Sequence, residues 1–197
     1  MSTLWIYGDS FSLDYSMNAA PSREDYIKWK GYVPKTYPNF VCEKLNLDLI
    51  NFSDSGLDNY TIFQNFCDNI EKYKEGDVVI VGWGPSSRFR IVYENENRWE
   101  PIGNYAAPDR NISLKTINEI HINRLHSFYD LEVHSWSKLM KYSAKNFKFY
   151  DWSWTRLHLH NYEEIRQETN LIINDGHWSE NGHKKFSQEV LKNLGYE

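Results

Sequence analysis

The chain predicts an α/β fold, with a parallel β-sheet covered by helices on both faces. Strand-like apolar runs alternate with helical patterns, which is the order that builds such a sheet. The 197 residues suffice for one domain with a real core, and no internal repeat or low-complexity tract divides them.

The first strand is expected at Leu4–Tyr7, and Gly8-Asp9-Ser10 follows it directly. Thr36 then caps a helix whose Phe40, Val41 and Leu45 face the sheet. A second strand spans Leu47–Phe52, and Asn59 or Thr61 caps a helix carrying Ile62, Phe63, Phe66 and Ile70. Gly76-Asp77 turns the chain into the third strand, Val78–Trp83. From Ser113 to Asn146 the apolar positions Ile117, Ile120, Leu125, Phe128, Leu131, Trp136, Leu139 and Met140 recur in steps of three and four, a long helix capped by Ser113 or Thr116. Phe147–Trp152 reads as the fourth strand. The closing helix covers Gly182–Leu194, with Phe186, Val190, Leu191 and Leu194 on one face and Gly195 as its stop. Leu13–Val33 and Ser86–Ile112 break the alternation and read as long loops near a site, because loops and ligands gather beyond the carboxyl ends of parallel strands.

Composition narrows the partners. The 22 Lys and Arg are scattered among 27 Asp and Glu for a net charge of −5, so no basic stripe exists for a phosphate backbone and nucleic acid is not expected. Cys42 and Cys67 match no disulfide framework or metal spacing and read as buried thiols, as in a reducing compartment. The opening Met1-Ser2-Thr3-Leu4 has no signal-peptide pattern and no run of residues is long and apolar enough to span a membrane, which points to the cytoplasm. Aromatic residues reach 16%, with 8 Trp and 14 Tyr; core filling is their default role and stacking on sugar rings their alternative.

Three polar segments carry the chemistry. A serine hydroxyl becomes a nucleophile when an imidazole takes its proton, and the imidazole needs a carboxylate to fix its tautomer. Gly8-Asp9-Ser10 supplies the serine on a tight turn after a strand, although a plain turn with Asp9 and Ser10 as local caps is the competing reading. Asp175-Gly176-His177 supplies the base, with the carboxylate two residues before the ring. Between them, the segment Asn51 to Asn59 holds Gly56, whose N–H can face an oxygen that becomes negative in acyl transfer; a helix start capped by Asp58 or Asn59 is compatible with that role. His183, at the start of the last helix, is the competing base and reads as structural. His158 and His160 lack a third ligand at recognisable spacing, and His121, His126 and His134 lie along the long helix, so neither metal nor cofactor is expected.

These segments resemble the blocks of the SGNH hydrolase superfamily, the GDSL esterases and lipases, over nearly the whole chain. Gly8-Asp9-Ser10 with Phe11-Ser12 is similar to the first block, Ser55-Gly56 with Asn59 to the second, and Asp175 with His177 and Gly182-His183 to the last. The resemblance implies a three-layer α/β/α sandwich of flavodoxin-like character, with Ser10 as nucleophile, His177 as base and Asp175 as its acid. It also implies N–H groups of Ser10 and Gly56 in the oxyanion hole. Asp9, Asn59, Trp83, Gly84, Ser86, Arg88 and Trp178 are candidates for substrate or oxyanion contacts.

Two positions depart from that pattern. The family's third block ends its strand Gly-x-Asn-Asp, whose Asn donates to the oxyanion, whereas this chain reads Gly82-Trp83-Gly84-Pro85-Ser86-Ser87-Arg88. Either Ser86, Ser87 or a backbone N–H replaces it, or Arg88 contributes charge, or the hole is one donor short and the enzyme slower by about a hundredfold. The acid commonly stands three residues before the histidine, where this chain has Asn174; Asp175 is the expected acid and Asp151, at the end of the fourth strand, the reserve. The expected activity is hydrolysis of small acyl esters, preferentially O-acetyl groups on a carbohydrate, with Trp29, Tyr32, Trp99, Tyr105, Trp152 and Trp154 available for sugar stacking. The alternatives are a noncatalytic glycan-binding module on the same fold and an acyltransferase.

Overall fold

This computed structural model describes residues 2–15, 27–28, 31–85, 89–93, 98–102, 126–153 and 177–196, with the backbone alone for 89–93, 98–102 and 126–129. Six strands occur among them: β1 (Thr3–Tyr7), β2 (Asp48–Asn51), β3 (Val78–Trp83), β4 (Phe89–Tyr93), β5 (Arg98–Ile102) and β6 (Lys148–Ser153). Four of these form one all-parallel sheet in the order β2-β1-β3-β6, with Tyr7 opposite Val81 and Trp83 opposite Ser153. The principal helices are α1 (Tyr37–Leu45), α2 (Asn59–Cys67), α3 (His126–Ser143) and α4 (Glu180–Asn193).

Side-chain alternation along the strands sorts the core into two layers. Leu4, Ile6, Val78, Ile80 and Trp152 face Tyr37 and Val41 of α1 and Phe186, Val190 and Leu191 of α4. Trp5, Tyr7, Val79, Val81 and Trp83 face Ile62 and Phe66 of α2 and Trp136 and Met140 of α3. Helices therefore cover both faces, as the alternation predicts, and β1 and β3 are buried along their full lengths. At the amino-terminal edge, the buried Asp77 carboxylate accepts from Thr3 N at 2.8 Å, Trp5 Nε1 at 3.0 Å and Lys74 N at 3.2 Å, which satisfies its charge without a cation.

Several expectations change on contact with the fold. The stretch expected as one loop from Ser86 to Ile112 contains the antiparallel pair β4 and β5, with Phe89 opposite Ile102. The polar tetrapeptide Glu94-Asn95-Glu96-Asn97 between two β-prone runs is the hairpin signal. Of the caps the sequence offers for α2, Asp58 is the one used, accepting from Thr61 N at 3.0 Å, and Asn59 and Thr61 are not. Ile70 lies beyond that helix in a 3-10 turn and is exposed. In α3 the inward stripe is Val133, Trp136, Ser137 and Met140, so Leu131 and Leu139 point to solvent. Cys67 is exposed, because it follows the inward Phe66 around the helix, whereas Cys42 is half-buried with its thiol on the Leu47 carbonyl. Ser113 and Thr116 lie outside the described residues.

Gly8 and Gly82 bring the backbones of β1 and β3 together around Ser12. A Cβ on Gly8 would lie 2.5 Å from Ser12 Oγ, and one on Gly82 would lie 2.7 Å from Ser12 Oγ and 2.8 Å from the Trp152 ring. An alanine at either position would force the Ser12 side chain to shift, and at Gly82 the Trp152 ring as well. Gly82→Ala is expected to destabilise the fold by about 1 to 3 kcal/mol, read as a lower urea midpoint at unchanged slope. An unchanged midpoint would contradict this packing.

Candidate active site

In this sheet β1 stands between β2 and β3, so the chain leaves β1 in one direction and later returns on the other side. Such a reversal opens a crevice beyond the carboxyl ends of the two strands, where open parallel sheets bind ligands. Gly8-Asp9-Ser10 leaves β1 there. Asp9 is fully buried and accepts from Phe11 N at 3.1 Å, capping the 3-10 turn Ser10–Ser12, which is the local-cap role that the sequence offered as an alternative. Ser10 itself is 7% exposed, and its hydroxyl makes no hydrogen bond among the described residues.

The turn is held from behind. Ser12 Oγ shares a 2.9 Å hydrogen bond with Tyr37 Oη, Trp152 Nε1 donates to the same phenol at 3.4 Å, and Asn51 Nδ2 donates to the Ser12 carbonyl at 2.8 Å. Burial, opposed by those two side-chain bonds and reinforced by the Asp9 charge, holds the Tyr37 hydroxyl well above its ordinary pKa, so it stays neutral. Tyr37 is the residue that sequence reasoning misses. Its signal, an aromatic just inside a capped helix start, looks the same for any core tyrosine.

The segment after β2 folds over the β1 exit. Asp54 N donates to the Gly8 carbonyl at 3.3 Å, and Gly56 adopts φ +76°, a left-handed conformation that disfavours side chains. A Cβ there would meet nothing within 4 Å, so the backbone conformation, not crowding, calls for glycine. The Gly56 N–H makes no hydrogen bond among the described residues. Three positions on, Asn59 is 6% exposed and donates through Nδ2 to the Gly84 carbonyl at 3.1 Å, bridging this segment to the end of β3.

His177 reaches the turn from the other end of the chain. Its ring stacks on Phe11 with centroids 4.7 Å apart and planes 28° from parallel, which sets the imidazole against the residue next to Ser10. The following Trp178 packs on Phe11, Trp152 and Phe186, and Ser179 caps α4 by accepting from Gly182 N at 3.1 Å, so the imidazole is anchored by core contacts immediately after it. Asp175 lies outside the described residues, as do Ser86, Ser87 and Arg88.

The remaining candidates have other tasks. Trp83 and Trp178 are each 1% exposed, and Trp83 Nε1 donates to Asp151 at 3.0 Å, so both rings pack in the core. Gly84 is buried and contributes its carbonyl to Asn59. Asp151 also pairs with Lys141 at 2.7 Å; burial raises its pKa, but hydrogen bonds from Lys141, Ser137 and Trp83 outweigh that and hold it below the ordinary value. It belongs to the α3 face with Trp83, whereas Phe11 and Trp178 belong to the opposite face, so it is no reserve acid for His177. Among the aromatics considered for sugars, Trp152 is core and Tyr32 is 47% exposed with its hydroxyl on Glu180; the side chains of Trp29, Trp99, Tyr105 and Trp154 are outside the description.

His183 is 1% exposed, boxed by Tyr15, Tyr37 and Trp178, and neither ring nitrogen has a hydrogen-bond partner among the described residues. This enclosure matches the structural role expected for it. No protein-family model matches the chain, and no curated protein matches it. Among the described residues no helix is long and apolar enough to cross a membrane.

Burial, aided by the nearby His177 charge, drives the His183 pKa down from 6.5 to about 3. The unfolded chain therefore takes up a proton below pH 6.5 that the folded chain refuses until about 3, and stability falls with acidification across that window. The expected slope is about 1.4 kcal/mol per pH unit. His183→Phe keeps an aromatic ring and removes the titration, so its stability should fall less between pH 7 and 5 than the wild type's, measured by urea unfolding at each pH. Parallel curves would contradict this assignment.

Proposed function

We propose that the protein is a serine hydrolase of the SGNH type that cleaves small acyl esters, preferentially O-acetyl groups on a carbohydrate. The observation that carries this reading is the stacking of His177 on Phe11, which brings the two ends of the chain to one turn at the sheet's carboxyl edge. Ser10 supplies the nucleophile and His177 the base, with Asp175 as its orienting acid. Ser10 Oγ loses its proton to His177 as it bonds to the carbonyl carbon, and the C=O electron pair moves onto oxygen. Backbone N–H groups of Ser10 and Gly56 meet that charge. Collapse expels the alcohol, which takes the proton from the imidazolium, and a water activated by the same imidazole releases the acid.

The acetyl preference rests on an aromatic-rich, hydrophilic chain suited to sugars. One observation favours the noncatalytic glycan-binding reading: the Ser10 hydroxyl is not hydrogen-bonded among the described residues. Catalytic hydrogen bonds commonly tighten only with substrate bound, which leaves the esterase as the better reading.

A fluorophosphonate probe followed by peptide mapping should label Ser10, with labelling abolished in Ser10→Ala and strongly reduced in His177→Ala. Hydrolysis of p-nitrophenyl acetate should fall by about a thousandfold or more in both variants. Equal rates for wild type and both variants would favour the binding module.

A further inference from the structure

Asn59 is a buried polar residue beside the crevice whose hydrogen bonding is incomplete among the described residues. Asn59 Oδ1 is buried and has no partner among the described residues, while Nδ2 donates to the Gly84 carbonyl. An alanine here would avoid that unsatisfied acceptor. The residue's value therefore lies in what its amine end can do.

Gly84 fixes which end that is. Reversing the carboxamide would set Oδ1 against the Gly84 oxygen, so the NH2 group faces the end of β3. A carboxamide nitrogen has two hydrogens; Gly84 takes one, and no described group takes the other. The location is also fixed. Gly84 follows β3, whose Gly82 carbonyl lies 3.1 Å from where a Gly8 Cβ would stand, and Asp54 of the Asn59 segment is bonded to the Gly8 carbonyl. Asn59 thus stands at the mouth of the crevice between the exits of β1 and β3. Strand β3 ends there in Gly82 and in Trp83, whose N–H is committed to Asp151, and Gly84 follows; neither glycine has a side-chain donor.

We propose that Asn59 supplies a third donor to the oxyanion, through the second N–H of Nδ2, beside the N–H groups of Ser10 and Gly56. A side-chain donor that strand β3 lacks thus enters from the start of α2. The inference rests on the esterase reading and adds a catalytic residue to it. It also gives the Gly84 carbonyl a task, which is to orient and polarise the amide before any substrate arrives.

The test compares wild type, Asn59→Ala and Asn59→Asp, the last keeping the shape while replacing the donor by a carboxylate. Turnover of p-nitrophenyl acetate should fall by about 10²- to 10³-fold in both variants, with KM little changed. Affinity for phenylboronic acid, which bonds to Ser10 Oγ as a tetrahedral anion, should fall in parallel, because that adduct also loads the hole. Near-UV circular dichroism of Asn59→Ala should match the wild type. Wild-type turnover retained by Asn59→Ala would overturn the third donor and leave the esterase intact. Turnover lost from both variants together with their near-UV signal would assign Asn59 a structural role only. A wild-type protein inert to ester and fluorophosphonate alike would remove the esterase reading, and the donor with it.

Discussion

The seat of Ser12 is the constraint on which the site depends. Two glycines, Gly8 and Gly82, let the exits of β1 and β3 close around that side chain, and Tyr37 and Asn51 hold its hydroxyl and carbonyl. Ser10 is two residues away on a turn capped by a buried carboxylate, so its position is set by backbone geometry, not by its own hydrogen bonds. The arrangement places a small hydroxyl at an edge where the hydrophobic sheet ends and polar backbone groups become available. A looser turn would let the serine reach the same space only part of the time, and reactivity depends on orientation.

The opposite end of the chain arrives through packing, not through polar contacts. Phe11 lies between His177 and Trp178, and the tryptophan continues into Trp152 and Phe186. Aromatic surfaces of this size exclude water and limit the places the intervening backbone can occupy. Beside this cluster burial holds the His183 pKa far below its ordinary value, so the last helix adds no second cation next to the His177 ring. The polar partners of Ser12 lie on the same face as these rings, so the two halves of the proposed site share one layer of core.

Much of the fold is legible in the chain because strands buried on both faces are written as dense apolar runs. Val78–Trp83 is read to the residue, and the other three central strands to within one or two positions. Helix faces are less legible. Leu131 and Leu139 fit the same helical steps as Trp136 and Met140, and only the position of the sheet decides which stripe turns inward. The hairpin from Phe89 to Ile102 is obscured by Pro101 and by charged residues within its strands. Within the candidate site, residue type and spacing single out Ser10, Gly56 and His177, and the structure sets the His177 ring on Phe11 next to Ser10. The burial of Trp83 and Trp178 is not legible, since an aromatic beside a motif reads equally as core or as contact. Asp58 and Asn59 illustrate a further limit: adjacent residues suited to one cap are divided by geometry, one closing the helix and the other turning to Gly84.

The central claim is that Ser10 and His177 act on one proton. The most direct measurement is the separation of Ser10 Oγ from the nearest ring nitrogen of His177 in a crystal structure of the phosphonylated protein. A distance of about 3 Å, with the phosphonyl oxygen directed at the Gly56 N–H, is the expected result. An adduct on Ser10 with the imidazole still stacked on Phe11 and its nitrogens directed away would contradict it.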